Sequence, residues 1–246
     1  MFATCLGLML ALAAPEAPPV AAAVTVHLAG DSTMAPKLDV KRPESGWGEY
    51  LQAQFRPGTV VVDNRARNGR STRTFIELGE WQALLEVLAP GDVVLIQFAH
   101  NDQSENKPDR YTPLPDYVAN LERFLREVRA REATPMLLTP VARRNFDATG
   151  RLVPSHGGYP QRVRELAARE QVALVDMERL SSDVVTAAGV EGSKALFLWQ
   201  APGQHPNYPQ GIEDDTHFSP EGARRMAAAF ADELRRQSLP LADRLP

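Results

Sequence analysis

Serine, histidine and aspartate stand near the two ends of this chain in spacings that suit attack on a carbonyl. Ser32 lies in Gly30-Asp31-Ser32-Thr33-Met34-Ala35, directly after an apolar run. A hydroxyl on a strand-to-helix turn is exposed, and the turn's N–H groups point toward a developing anion. A free hydroxyl is a weak nucleophile near neutral pH, so Ser32 needs a base. Asp214-Asp215-Thr216-His217 supplies one. An Asp three residues before a His, both expected in a loop entering the last helix, can accept the imidazole Nδ1–H. That bond fixes the tautomer and leaves Nε2 for the serine proton. Asp214 is expected in this role, with Asp215 better placed to cap or face solvent. Each motif alone also has a plain structural reading, as a turn or a helix cap.

Two further blocks turn the pair into a constellation. Asn68-Gly69-Arg70-Ser71-Thr72-Arg73 follows a second apolar run, and Ala99-His100-Asn101-Asp102 follows a third. Gly69 has no Cβ to keep its N–H from a substrate oxygen, and the Asn101 side-chain amide adds another donor. With the Ser32 N–H, these are three donors for the oxyanion of a tetrahedral intermediate. Asp31, Arg73, His100, His205 and Tyr208 are candidate substrate contacts. Arg70, Arg73, Arg143 and Arg144 fall near the expected active edge, where one could pair with a sugar carboxylate. Ser71 is a competing hydroxyl, expected to bond structurally. Phe197, Trp199 and Tyr208 could stack on sugar or anchor loops. No His-Glu-x-x-His spacing, Gly-x-Ser-x-Gly elbow or phosphate-binding glycine loop occurs, so no metal and no cofactor is expected.

The elements that must position these residues alternate. Val24–Ala29, Val60–Val62, Val93–Phe98, Met136–Thr139 and Val172–Val175 are apolar on successive residues, as in strands covered on both faces. Helical stripes are expected over Thr74–Leu88, Tyr117–Arg131, Gln161–Glu170 and Pro220–Arg236, with Ser219 capping the last. Two stretches, Asn101–Pro115 and Leu196–Thr216, read as long loops. Five strands alternating with helices predict an α/β fold, a three-layer sandwich on a parallel sheet, with ligands at the strands' carboxyl ends.

The composition is that of an ordinary globular chain, 43% hydrophobic and 24% charged. A net charge of −4 argues against nucleic acid as the main partner. Residues 1–23 read as an export signal, apolar from Met1 to Ala14 and ending in Ala21-Ala22-Ala23, though no Lys or Arg precedes the run. The apolar run is too short to span a bilayer, so no membrane partner is expected. A secreted or periplasmic location and a single domain over residues 24–246 follow. Cys5 is the sole cysteine and lies in that leader, so disulfides and cysteine-ligated zinc are not expected after cleavage.

Taken together, the four blocks resemble the SGNH, or GDSL-like, hydrolases over nearly all of the chain from Val24. That resemblance implies a flavodoxin-like sandwich with Ser32 as nucleophile, His217 as base and acid, Asp214 as its orienting carboxylate, and Gly69 and Asn101 in the oxyanion hole. The family's third block usually has Gly two residues before the Asn, where this chain has Ala99. Within the superfamily, Gly30–Ala35, Gly69–Phe75, His100-Asn101-Asp102 and Pro202–Pro209 before Asp214–Phe218 are similar to rhamnogalacturonan acetylesterases, carbohydrate esterase family twelve. The substrate so implied is an acetylated polysaccharide or oligosaccharide. An acetyl-xylan or other carbohydrate esterase, a lipase or thioesterase of the same fold, and a silent carbohydrate-binding homologue are the other readings.

Overall fold

A computed structural model describes residues 23–246; the expected leader falls almost wholly outside them. The first strand, β1 (Val24–Gly30), is followed by turns and three short 3₁₀ segments within residues 39–54, then β2 (Val60–Asn64), α1 (Thr72–Glu77), α2 (Glu80–Val87) and β3 (Val93–Gln97). Next come α3 (Leu114–Arg129), β4 (Thr134–Leu138), α4 (Tyr159–Glu170), β5 (Ala173–Val175) and α5 (Met177–Gly192). A hairpin of β6 (Phe197–Gln200) and β7 (Ile212–Phe218) leads into α6 (Pro220–Gln237). The five main strands are parallel in the order β2-β1-β3-β4-β5.

Period-two alternation explains the three layers. Val26 and Leu28 of β1, Val93 and Leu95 of β3, and Met136 and Leu138 of β4 face one core, with Trp47, Met177, Met226 and Phe230. Ala29, Val94, Ile96 and Leu137 face the other, with Phe75, Trp81, Phe124 and Val163. Both faces of the sheet are therefore apolar, which is why its strands read as continuous hydrophobic runs. Helix α6 is capped by Ser219, whose side chain accepts the Gly222 N–H at 3.1 Å, and it starts at Pro220. Its stripe of Ala223, Met226, Ala227, Phe230 and Leu234 is fully buried, each large side chain contributing about 1.5–3 kcal/mol.

Three expectations are corrected. The chain after Ser32 makes turns and 3₁₀ segments, not an α-helix, because Pro36, Pro43 and two glycines interrupt any helical stripe there. The single helix expected over 74–88 is two, broken at Gly79 in the left-handed region (φ 79°). Residues 196–216 are no loop throughout: both ends pair as the antiparallel β6–β7 hairpin, so His217 sits on a strand. Helix α5 was not marked by any sequence pattern.

Candidate active site

The strand order dictates where chemistry can occur. Winding reverses between β1 and β3, so the loops leaving their carboxyl ends diverge and open a crevice. Ser32 follows β1, and His100-Asn101-Asp102 follows β3. The β2 loop brings Gly69 from the neighbouring side. The β6–β7 hairpin, hydrogen-bonded through the Phe218 carbonyl to the Ser45 N–H at 2.9 Å, lays His217 over the crevice.

There a hydrogen-bonded chain runs from Asp214 through His217 to Ser32. Asp214 Oδ2 lies 2.7 Å from His217 Nδ1, and His217 Nε2 lies 2.9 Å from Ser32 Oγ. The other Asp214 oxygen accepts the backbone N–H groups of Thr216 at 2.7 Å and His217 at 2.9 Å. Burial disfavours the Asp214 charge, but the His217 side chain and these N–H groups outweigh it and hold the carboxyl at about 2. An ionised Asp214 makes Nδ1 the donor, so Nε2 of the neutral ring can accept from the Ser32 hydroxyl.

Around this chain opens a cleft of about 510 Å³. Gly69 lines it at φ 75°, in the left-handed region that favours glycine. Asn101 also lines it, and its Nδ2 donates to the Arg70 carbonyl at 2.9 Å. An amide nitrogen has two hydrogens, so a second one remains for a ligand. Beneath, Asp102 is fully enclosed, and its Oδ1 accepts from the Thr72 N–H at 2.9 Å and the Thr72 hydroxyl at 2.6 Å. This ties the β3 loop to the start of α1, and so sets Asn101 beside Gly69. Burial, opposed by those bonds, raises the Asp102 carboxyl to about 7.

Several expected contacts are placed elsewhere. Asp31 is 0% exposed, with Oδ1 taken by the Thr33 N–H and hydroxyl, so no substrate can reach it. Its role is to shape the Ser32 turn. Arg73 pairs with Glu77 and donates to the carbonyls of Pro108 and Tyr111, which braces the 101–115 loop, and it does not line the cleft. Neither His205 nor Tyr208 lines the cleft. The Tyr208 hydroxyl donates to the Lys41 carbonyl at 2.9 Å, and His205 Nδ1 accepts the Asn207 N–H, so both fasten the hairpin loop. His100 does line the cleft, but burial above all, and then the nearby Arg143 charge, push its pKa well down, keeping the ring neutral.

The remaining candidates sort in the same way. Arg144 is buried on Asp215, Ser193 and the Val190 carbonyl and does not line the cleft. Asp215 thus neither caps nor faces only water; it also accepts from the Trp199 indole at 2.9 Å. Trp199 carries Arg144 and Lys194 against its ring and Phe197 is buried, so neither makes a platform in the cleft. Ser71 caps α1, accepting the Thr74 N–H. Arg143 is in the cleft.

Lining residues that no motif marked are Ser104, Asn106 and, among the charged ones, Lys41, Glu44, Lys107 and Arg110. Arg110 Nη1 reaches Asn101 Oδ1 at 3.4 Å. These side chains sit in turns or, for Lys41, at the end of a single 3₁₀ turn, where spacing carries no orientation. A concentration of basic residues in the segment 107–110 was the one available signal.

The fold and this arrangement together define a three-layer α/β/α sandwich, distinct from the α/β-hydrolase fold, whose site has the parts for acyl transfer through serine. Residues 28–225 match the GDSL-like Lipase/Acylhydrolase family, and the chain belongs to that family, as an SGNH-type carboxylic ester hydrolase. It is 40% identical over 222 residues to rhamnogalacturonan acetylesterase RhgT of Bacillus subtilis (strain 168), covering 90% of this chain and 94% of that one. A probable rhamnogalacturonan acetylesterase, YesY, from the same organism is 36% identical over 219 residues, covering 89% and 95%. Among solved structures, YxiM of Bacillus subtilis superposes with a TM-score of 0.75 at 26% identity, over 89% of this chain and 58% of that one. An acetylxylan esterase, Axe2 from Geobacillus stearothermophilus, shares the fold with a TM-score of 0.62 at 18% identity, over 88% and 96%.

Proposed function

We propose that this chain is a serine carbohydrate esterase that removes O-acetyl groups from a pectic polysaccharide, rhamnogalacturonan. The observation that carries the reading is the unbroken path from Asp214 through His217 Nε2 to Ser32 Oγ, opening on a cleft with amide donors. Ser32 Oγ attacks the acetyl carbonyl as His217 takes its proton. The resulting oxyanion is held by the N–H groups of Ser32 and Gly69 and the Asn101 amide. His217 returns the proton to the departing sugar oxygen, leaving acetyl-Ser32. Water, deprotonated by His217, then releases acetate.

Relatives named rhamnogalacturonan acetylesterases support the pectic substrate. The cleft supports it independently. Lys41, Lys107, Arg110 and Arg143 line it, against the single carboxylate of Glu44. Arg143, whose hydrogen bond among the described residues is to the His100 carbonyl at 3.5 Å, keeps donors for a uronate carboxylate. An exported enzyme fits a polymeric substrate, and the apolar run from Met1 to Ala14 with small residues at 21–23 supports export. N-terminal sequencing of protein recovered outside the cytoplasm should begin near Val24.

The deciding experiment is acetate release from acetylated rhamnogalacturonan, acetylxylan and nitrophenyl esters of increasing chain length, with wild type beside Ser32→Ala. The pectic polymer should be preferred and the variant should lose roughly 10⁴-fold or more. Retained activity in Ser32→Ala, or a preference for long acyl chains, would end this reading.

A further inference from the structure

The turns after Ser32 carry two side chains that the reaction above does not use. Lys37 is fully enclosed, its side chain 0% exposed. Its ammonium donates to the Ser32 carbonyl, to Asn68 Oδ1 at 2.9 Å and to Glu44 Oε1 at 2.7 Å. An ammonium has three N–H donors, and here each has an acceptor. Those acceptors belong to three different parts of the site: the nucleophile turn, the residue before Gly69, and a segment seated on the hairpin. Glu44 Oε1 in turn lies 3.9 Å from His217 Nε2. The segment reaches this depth because residue 46 is glycine; a Cβ there would stand 2.1 Å from the Ala35 carbonyl oxygen.

A buried ion pair is a weak source of stability, because desolvation offsets its attraction. Burial pulls the Lys37 ammonium toward losing its proton, and Glu44 opposes that pull. The reason for placing such a pair here lies in what it touches. We propose that Lys37 and Glu44 are positioning residues for the Ser32–His217 reaction. Lys37 holds the nucleophile turn and the Gly69 loop in register, and its charge cancels that of Glu44, so that the Glu44 carboxylate does not draw off the Nε2 proton that His217 and Ser32 exchange. This rests on the esterase reading above.

The charge environment gives the inference a signed test. His217 faces Asp214 on Nδ1 and Glu44 beside Nε2, with His100 and Arg143 across the cleft. Lys41, Lys107 and Arg110 lie on the rim. Asp31 and Glu49 also act on Lys37. Removing Lys37 leaves Glu44 uncompensated beside the imidazole, which favours the imidazolium. The base is then free only at higher pH. Removing Glu44 leaves the Lys37 charge and does the reverse.

The experiment is the pH profile of kcat/KM on a small neutral acetyl ester for wild type, Ser32→Ala, Lys37→Met, Glu44→Gln and the Lys37→Met/Glu44→Gln pair, with circular dichroism to verify folding. The rising limb should move up by about one pH unit in Lys37→Met, as an unscreened opposite charge within 4–6 Å does. It should return close to its wild-type position in the double variant, while kcat stays roughly tenfold or more below wild type from lost register. An unmoved limb in folded Lys37→Met overturns the proposal. If that variant does not fold, Glu44→Gln decides: a limb at lower pH supports the proposal and an unmoved one overturns it. An active Ser32→Ala would instead bring down the esterase reading itself.

Discussion

At the scale of single residues, the site works through groups whose protonation their surroundings impose. Asn101 shows how little freedom remains: one hydrogen is held by the Arg70 carbonyl, and its oxygen receives Arg110. Asn101→Ala should lower kcat by roughly 10²–10³, the scale of one oxyanion donor, with KM on a neutral ester little changed. Pre-steady-state acylation rates measure this directly, and an unaltered rate in a folded variant would mean the oxyanion is held otherwise. Asp102 is a second case. Its folded-state pKa of about 7 lies above the usual 3.8, so the protonated form is the one burial favours. Its contribution to stability is therefore complete below about pH 4 and is lost as pH rises through 7. Asp214, held at about 2, is ionised throughout pH 5 to 8 and adds no slope there. Because His100 and His156, whose pKa values burial holds well down, add an opposite slope below about pH 6.5 in either protein, the test is the difference: wild-type Tm should fall relative to that of Asp102→Asn between pH 5 and pH 8. Parallel curves for the two proteins would rule out this contribution from Asp102.

At the scale of elements, loops do the positioning and one of them is strained. Ala99 has φ 145°, a backbone region that favours glycine, and it opens the loop that aims His100 and Asn101. The family pattern's glycine at this place has a physical reason: a Cβ is disfavoured by about 1–3 kcal/mol in such a conformation. Ala99→Gly should raise stability by about 1 kcal/mol net of the entropy glycine adds to the unfolded chain, seen as a Tm higher by roughly 2–4 °C. A lower Tm would show that the buried Ala99 methyl packs more favourably than the backbone is strained. The 101–115 loop is held by Arg73 and by the Tyr159 hydroxyl, which bonds the carbonyl of Thr112 at 2.8 Å. Arg73 is thus a brace for the residues that line the cleft rather than a substrate contact.

At the scale of the whole molecule, charge is distributed against its own average. The chain carries a net −4, yet four cationic side chains line the cleft. Such a local field attracts an anionic polymer and is screened by salt over about 10 Å at 0.1 M. KM for acetylated pectic polymer should therefore rise several-fold between low and high ionic strength, while KM for a neutral acetyl ester stays level. Equal salt dependence for both substrates would remove the charge argument.

What the linear chain determined by itself was the class of fold and the cast of the central site. Continuous apolar strands imply a sheet covered on both faces, and Ser32, Gly69, Asn101 and Asp214-x-x-His217 stand out because local order along the chain carries them. Tertiary structure alone decided which charges share a space. Lys37 reaches Asn68 and Glu44, Arg110 reaches Asn101, and Arg144 turns away to Asp215, through side chains several bonds long on aperiodic turns. Periodicity fixes the direction of a side chain on a helix or strand, but in a turn that direction is set by the neighbours that folding supplies.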